Sequence, residues 1–209
     1  MASDLAPRGF LQRAIDLAHE YHFAIVQDFA YAGLGVDAQQ ISILSLPGAF
    51  DVAVEVCSLS KMYAMAGWRA GFIAGNDDIV SHVKQYHYQM GSMVTSSIQD
   101  AGTVALLSDQ SCVAELAERY ASRREIVAGG LREVGLDVFD SDGGIYAWVH
   151  APEDQTGEQF ADMLLERAAV AALPGMCFGK VGKDYVRFSL LKSEDQLREA
   201  VRRVAAVLA

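Results

Sequence analysis

Between Phe10 and Tyr21 the apolar residues Leu11, Ala14, Ile15 and Ala18 recur at helical spacing. Directly after them Phe23-Ala24-Ile25-Val26 forms a short apolar run that stops at Gln27-Asp28. No other stretch narrows the fold as far. A helix with one apolar stripe needs a surface to cover it, and an uninterrupted apolar run needs cover on both faces. The pair therefore reads as one helix and one doubly buried strand of an α/β layer.

Two further runs extend that layer. Val52, Val54 and Val56 begin a second strand, which ends in the polar run Ser58-Leu59-Ser60-Lys61. Gly71-Phe72-Ile73-Ala74-Gly75 reads as a third, with Asn76 and the aspartates after it opening a helix. The second half has a different texture. From about Ser97 to Val134 the spacing predicts one long helix, with Val113, Leu116, Tyr120, Ile126, Val127, Leu131 and Val134 on its apolar side and Gly129-Gly130 weakening its end. Asp137 to His150 reads as a hairpin turning at Ser141-Asp142-Gly143-Gly144.

Thr156-Gly157-Glu158-Gln159 has capping-box spacing ahead of a helix carrying Phe160, Met163 and Leu164. Val186 to Leu190 is a strand, and Ser193 with Gln196 caps a last helix bearing Leu197, Val201, Val204 and Leu208. The expected division is an α/β sheet part over residues 1–95 and a small α+β domain over residues 96–209 that includes the long connecting helix.

Composition excludes several classes. The 209 residues are 52% hydrophobic and 21% charged, which suits a globular protein, and the formal charge of −10 argues against a general nucleic-acid binder. No apolar stretch is long enough for a transmembrane helix, and residues 1 to 20 lack the apolar core of a signal peptide. Cys57, Cys112 and Cys177 are far apart and form no CxxC pair, so buried, reduced thiols in a cytoplasmic protein are expected.

Chemistry concentrates where strands end. In an open α/β sheet, ligands bind beyond the carboxyl ends of strands, and Asp28 and Lys61 each stand at one. On position alone this is either a buried ion pair or a functional pair. Ser58, Ser60 and Arg69 flank the lysine within a short stretch, and two hydroxyls with a guanidinium are what a phosphate dianion needs. Each has a plainer reading. Serines before a lysine also serve as helix caps, Tyr31 as a core tyrosine, and Arg187 as the partner of a surface carboxylate. His19 and His22 lie three apart on a helix, but no third metal ligand follows at a useful spacing. There is no G-x-S-x-G, H-E-x-x-H or P-loop, and Cys57 reads as core rather than nucleophile.

The run S-L-S-K-x-Y-x-M-A-G-W-R-A-G-F, residues 58–72, resembles the cofactor-lysine signature of class I/II aminotransferases, which have the type I pyridoxal-phosphate fold. Asp28 to Tyr31 resembles the family's D-x-x-Y. Leu173-Pro174-Gly175 with Phe178-Gly179, then Tyr185-Val186-Arg187-Phe188-Ser189, resemble its P-G-x-x-F-G and V-R-F-S patterns. The likeness runs from Phe10 onward and is closest to the LL-diaminopimelate and alanine-type subgroup, through Asp51-Val52-Ala53-Val54-Glu55 and the M-A-G-W-R form of the lysine motif.

The resemblance implies the cofactor pyridoxal 5'-phosphate, an amino-acid and a 2-oxo-acid substrate, and a homodimer. It implies that Lys61 holds the cofactor as a Schiff base and then moves the α-proton. Asp28 would pair with the pyridinium nitrogen, Tyr31 with the ring oxygen, Ser58, Ser60 and Arg69 with the phosphate, and Arg187 with the substrate carboxylate. It also implies that the chain is the C-terminal portion of that fold: an incomplete large-domain sheet followed by the small domain. Family members carry an N-terminal portion with an N-P-T-G-like motif, where this sequence has Met1 to Gly9. Little activity is expected without that portion. A β-lyase or decarboxylase on the same fold, and a non-catalytic remnant that binds another protein, are the alternatives.

Overall fold

The computed structural model describes residues 5–35, 40–91 and 93–208. The chain divides into two compact units, Leu5–Ala117 and Glu118–Ala209.

In the first unit, helix α1 (Arg8–Tyr21) buries Leu11, Ile15 and Ala18 and stops where His22 turns left-handed and donates its N–H to Ala18. Strand β1 (Ile25–Asp28), the short helix α2 (Ala49–Val52) and strand β2 (Ala53–Ser58) follow. After the four-residue helix α3 (Leu59–Met62), strand β3 (Gly71–Gly75) completes a three-stranded sheet in the order β1-β2-β3. β1 runs parallel to β2, pairing Asp28 with Val56, and β3 runs antiparallel to β2, pairing Gly71 with Ser58.

β1 is not buried on both faces. Its residues alternate: Ile25 packs against the cluster of Leu11, Ile15, Ile43, Leu46, Ala49 and Ala53, whereas Val26 is 63% exposed. Gln27 shares the inner face because its amide is satisfied there, accepting from the Ile43 N–H at 2.9 Å and donating to the Ile41 carbonyl at 3.3 Å. The apolar run thus belongs to a strand covered on one face only.

Asn76 caps helix α4 (Asp77–Gln89) by accepting from the Ile79 N–H at 3.0 Å, and its amide donates to the carbonyls of Phe50 and Asp51. The single helix expected between Ser97 and Val134 is two: α5 (Ser96–Leu107) and α6 (Ser111–Glu133). Polar side chains at the break satisfy the helix ends. The Gln110 amide donates to the carbonyls of Ala105, Leu106 and Ser108, and Asp109 accepts from the Ser111 N–H at 3.1 Å.

The second unit holds strands β4 (Tyr146–His150), β5 (Leu173–Pro174) and β6 (Tyr185–Ser189), antiparallel in the order β4-β6-β5. The expected hairpin over Asp137–His150 is reduced to one bridge, Val138 to Val149, with the Phe139 N–H on the Trp148 carbonyl and the His150 N–H on the Asp137 carbonyl, while the other edge of β4 pairs regularly with β6. Helix α7 (Gly157–Ala168) begins with the expected capping box of Thr156 and Gln159, and helix α8 (Glu194–Leu208) closes the chain. Ala147, Val149, Val186 and Phe188 on one sheet face join Val127, Leu131, Phe160, Leu164, Leu197 and Val204 in one core. Strand alternation leaves Tyr146, Trp148, His150, Tyr185 and Arg187 on the other face.

Two cysteines differ from expectation: Cys57 is buried, but Cys112 and Cys177 are exposed, the first in the opening turn of α6 and the second in a 3₁₀ turn. No helix among the described residues is long and apolar enough to cross a membrane.

Candidate functional site

In the first unit, sheet register gathers six sequence-identified residues at one end. β1 and β2 are parallel, so Asp28 and Ser58 both mark carboxyl ends; β3 starts opposite Ser58, so Arg69 enters at that same end. Tyr31 lies just after β1, and Ser60 and Lys61 lie in α3 directly after β2.

Local bonds explain the shape of the lysine turn. The Ser58 hydroxyl accepts from the Ser60 N–H at 3.2 Å, capping α3. Two non-glycine residues then take left-handed backbone angles, Ala64 at φ 54° and Arg69 at φ 55°. Such angles cost about 1 kcal/mol or more each and persist where the surroundings fix them. Here the fixing bonds are Met65 N–H to Leu59 carbonyl at 3.2 Å, Leu59 N–H to Ala70 carbonyl at 3.2 Å, and the Arg69 guanidinium to the Ala66 carbonyl at 3.1 Å.

Lys61 is partly buried, with its ammonium 5.9 Å from the centre of the Tyr31 ring. Among the described residues it makes no ion pair, and Asp28 is exposed, its carboxylate accepting from the Ala30 N–H at 3.2 Å. The plain reading of these two as a buried ion pair is therefore not the arrangement found. A primary amine without an ion pair among the described residues, at the same sheet end as two hydroxyls and a guanidinium, has the chemistry to take an aldehyde that carries a phosphate.

The acids and thiols around the turn are otherwise disposed. Burial, with the Glu55 carboxylate adding to it, pushes the Cys57 thiol up to about 11, which keeps it protonated and a poor nucleophile. Burial also raises the Tyr63 phenol above its usual value, and its hydroxyl donates to Gln110. Glu55 is buried in β2 with one carboxylate oxygen lacking a hydrogen-bond partner among the described residues. His19 bonds through its ring to the Gly48 carbonyl at 3.0 Å and His22 is the cap of α1; no metal-holding cluster of His, Cys, Asp or Glu occurs among the described residues.

In the second unit Arg187 is partly buried on β6 and makes no ion pair or hydrogen bond among the described residues. Instead its guanidinium carbon lies 3.9 Å from the centre of the Tyr146 ring and 4.2 Å from that of Phe178. The surface-carboxylate reading of this arginine is not realised. The sequence named Phe178 only within the P-G-x-x-F-G resemblance, without a role, and did not point to Tyr146, whose signal is the alternation of β4 that puts it on the arginine's face.

The chain resembles known proteins along most of its length. The family model described as aminotransferase class I and II matches residues 1–204. Over 201 residues the chain is 42% identical to the L-glutamine–4-(methylsulfanyl)-2-oxobutanoate aminotransferase of Bacillus subtilis (strain 168), covering 96% of this chain and 50% of that protein. Over 200 residues it is 37% identical to the LL-diaminopimelate aminotransferase of Syntrophobacter fumaroxidans, covering 95% of this chain and 52% of that protein. A solved aminotransferase structure from Staphylococcus aureus matches with a TM-score of 0.93 at 33% identity, over 99% of this chain and 55% of that one. The chain thus spans about half the length of the curated relatives it matches.

Proposed function

The chain belongs to the class I and II aminotransferases, which work with pyridoxal 5'-phosphate, and we propose that it supplies the cofactor lysine and carboxylate-binding arginine for amino transfer between an amino acid and a 2-oxo acid. The observation that carries this is Lys61: an amine with no ion pair among the described residues, held at the carboxyl ends of two parallel strands with Ser58, Ser60 and Arg69 at the same end.

When bound, the cofactor supplies a ring that accepts the electron pair released at the substrate's α-carbon. Lys61 would hold it through Nζ, and the same nitrogen would be placed to take and return the substrate's α-proton. The Asp28 carboxylate would keep a proton on the ring nitrogen, and the Tyr31 hydroxyl would donate to the ring oxygen. Ser58, Ser60 and Arg69 would hold the phosphate, the two hydroxyls as donors and the guanidinium as a charge-assisted one. Arg187 takes the substrate carboxylate by a two-point contact that orients the α-carbon.

The two relatives are named for glutamine and for LL-diaminopimelate. These compounds share an α-amino group beside a carboxylate, which supports an α-amino acid as the substrate class. The exposed Val26 on a sheet of three strands supports association, with a second copy or with further aminotransferase fold.

The test is to titrate the purified chain with pyridoxal phosphate, follow the visible absorption, reduce with borohydride and map the labelled peptide. A saturable band with the label on Lys61 is expected. Labels scattered over surface lysines, unchanged in Lys61→Ala, would contradict the assignment.

A further inference from the structure

We infer that Tyr146 and Phe178 are positioning residues that hold the Arg187 guanidinium in a fixed plane, so that it meets a carboxylate edge-on. The inference rests on the proposed role of Arg187 as the carboxylate-binding group and names what makes that group rigid.

Three observations carry it. First, the guanidinium carbon lies within 4.2 Å of both ring centres, closer than the roughly 6 Å at which a cation over an aromatic face is still attracted. Second, the rings are themselves held. Tyr146 stands on β4 two residues from Trp148, the cross-strand partner of Arg187. Phe178 meets Trp148 edge-to-face at 5.3 Å and 71°, and Trp148 meets Tyr185 at 6.3 Å.

Third, the backbone that delivers Phe178 is built for the purpose. A side chain on Gly175 would collide with the Gly182 carbonyl and meet the Trp148 ring at 3.0 Å, so only glycine lets this turn settle so close. Gly179, the residue after Phe178, has φ 119° and ψ 166°, a region essentially closed to other residues. The spacing of Pro174-Gly175 to Phe178-Gly179 thus serves to lay one ring against one arginine.

Chemistry gives the arrangement its meaning. A free arginine side chain has many rotamers and loses that freedom on binding. Rings that immobilise the guanidinium beforehand remove that loss, and they satisfy its faces while leaving its N–H edges for an acceptor. Among the described residues no protein acceptor occupies those edges. A planar two-oxygen anion is the ligand that fits.

The experiment titrates 2-oxoglutarate into the chain labelled with ¹⁵N at its arginine side chains, comparing wild type with Arg187→Lys, Tyr146→Leu, Phe178→Leu and Phe178→Tyr. Circular dichroism checks the fold of each. The expected result is a saturable shift of the Arg187 signal, about ten-fold weaker binding in each Leu variant, and recovery in Phe178→Tyr. In parallel, phenylglyoxal should modify Arg187 several-fold faster in the Leu variants, a readout that needs no ligand.

Unchanged affinity and unchanged modification rate in both Leu variants would overturn the inference while leaving the carboxylate role of Arg187 in place. Binding that survives Arg187→Lys would overturn the carboxylate role, and the inference with it. If the wild type binds no 2-oxoglutarate, the phenylglyoxal rates alone decide the clamp.

Discussion

Tyr63 donates its hydroxyl to the side-chain oxygen of Gln110 at 2.6 Å, tying the turn that follows Lys61 to the break between α5 and α6. Gln110 sits at φ 63° and its amide nitrogen reaches three carbonyls, of Ala105, Leu106 and Ser108. One side chain therefore ends a helix and anchors the lysine turn. Tyr63→Phe removes one bond and is expected to cost about 1 kcal/mol. Gln110→Ala strips donors from three carbonyls and should cost more, roughly 2–3 kcal/mol. Denaturant melts of both variants and the double mutant measure the coupling. Strictly additive losses would mean that the hydroxyl contact contributes nothing.

Cys57 offers a pH test. Its thiol, pushed up to about 11, binds its proton more tightly in the folded chain than in the unfolded one, where the ordinary value is 9.0. The sign follows: its effect on stability is constant below about pH 9, and stability falls as pH rises from about 9 to about 11, because only the unfolded chain releases the proton there. Cys57→Ala should flatten this alkaline slope. At pH 8, iodoacetamide should label the exposed Cys112 and Cys177 quickly and Cys57 only after denaturation. Equal labelling of all three thiols in the folded chain would contradict the burial argument.

Arg69 combines a proposed phosphate contact with a strained backbone, and the two can be separated. Its guanidinium is assigned to the cofactor phosphate, while its backbone sits at φ 55°, where a side chain is strained. Arg69→Gly should therefore relieve about 1 kcal/mol of strain relative to Arg69→Ala. Both variants lose the charge-assisted contact, worth roughly 1.5–3 kcal/mol, or about ten- to a hundred-fold in pyridoxal-phosphate affinity. Melting temperatures and absorbance titrations on the same samples separate the two effects. Equal stability with unequal affinity would reverse the argument.

What the sequence made legible follows from where the information is local. Strands β2 and β3, the Asn76 cap and the Thr156–Gln159 capping box were readable because each depends on residues a few positions apart. The placement of Lys61, Ser58 and Arg69 at one sheet end also followed, through motif spacing and strand ends. The break at Ser108–Gln110 was missed because Gln110 acts by an amide folded back on earlier carbonyls, which apolar periodicity does not register. Turn residues at Ser141–Gly144 signal a hairpin, of which one bridge forms, but the regular partner of β4 is β6, far along the chain, which no local signal registers. Tyr146 and Phe178 met Arg187 only in three dimensions, through strand alternation and a glycine-permitted turn.

The second unit's core permits a comparison of two forces at one helix. Phe160 is fully buried in α7 among the residues packed beneath β4 and β6, while Thr156 caps the same helix at its exposed start, accepting from the Gln159 N–H at 3.3 Å. Phe160→Ala removes a ring from a closed core and should cost about 3–5 kcal/mol, since the cavity adds to the lost transfer energy. Thr156→Ala removes one half of a capping box and should cost about 1 kcal/mol. Trp148 lies in this unit and Trp68 in the other, so a Trp68→Phe background makes fluorescence report the second unit alone. If Thr156→Ala shifted that transition as far as Phe160→Ala does, helix capping rather than core burial would govern the unit's stability.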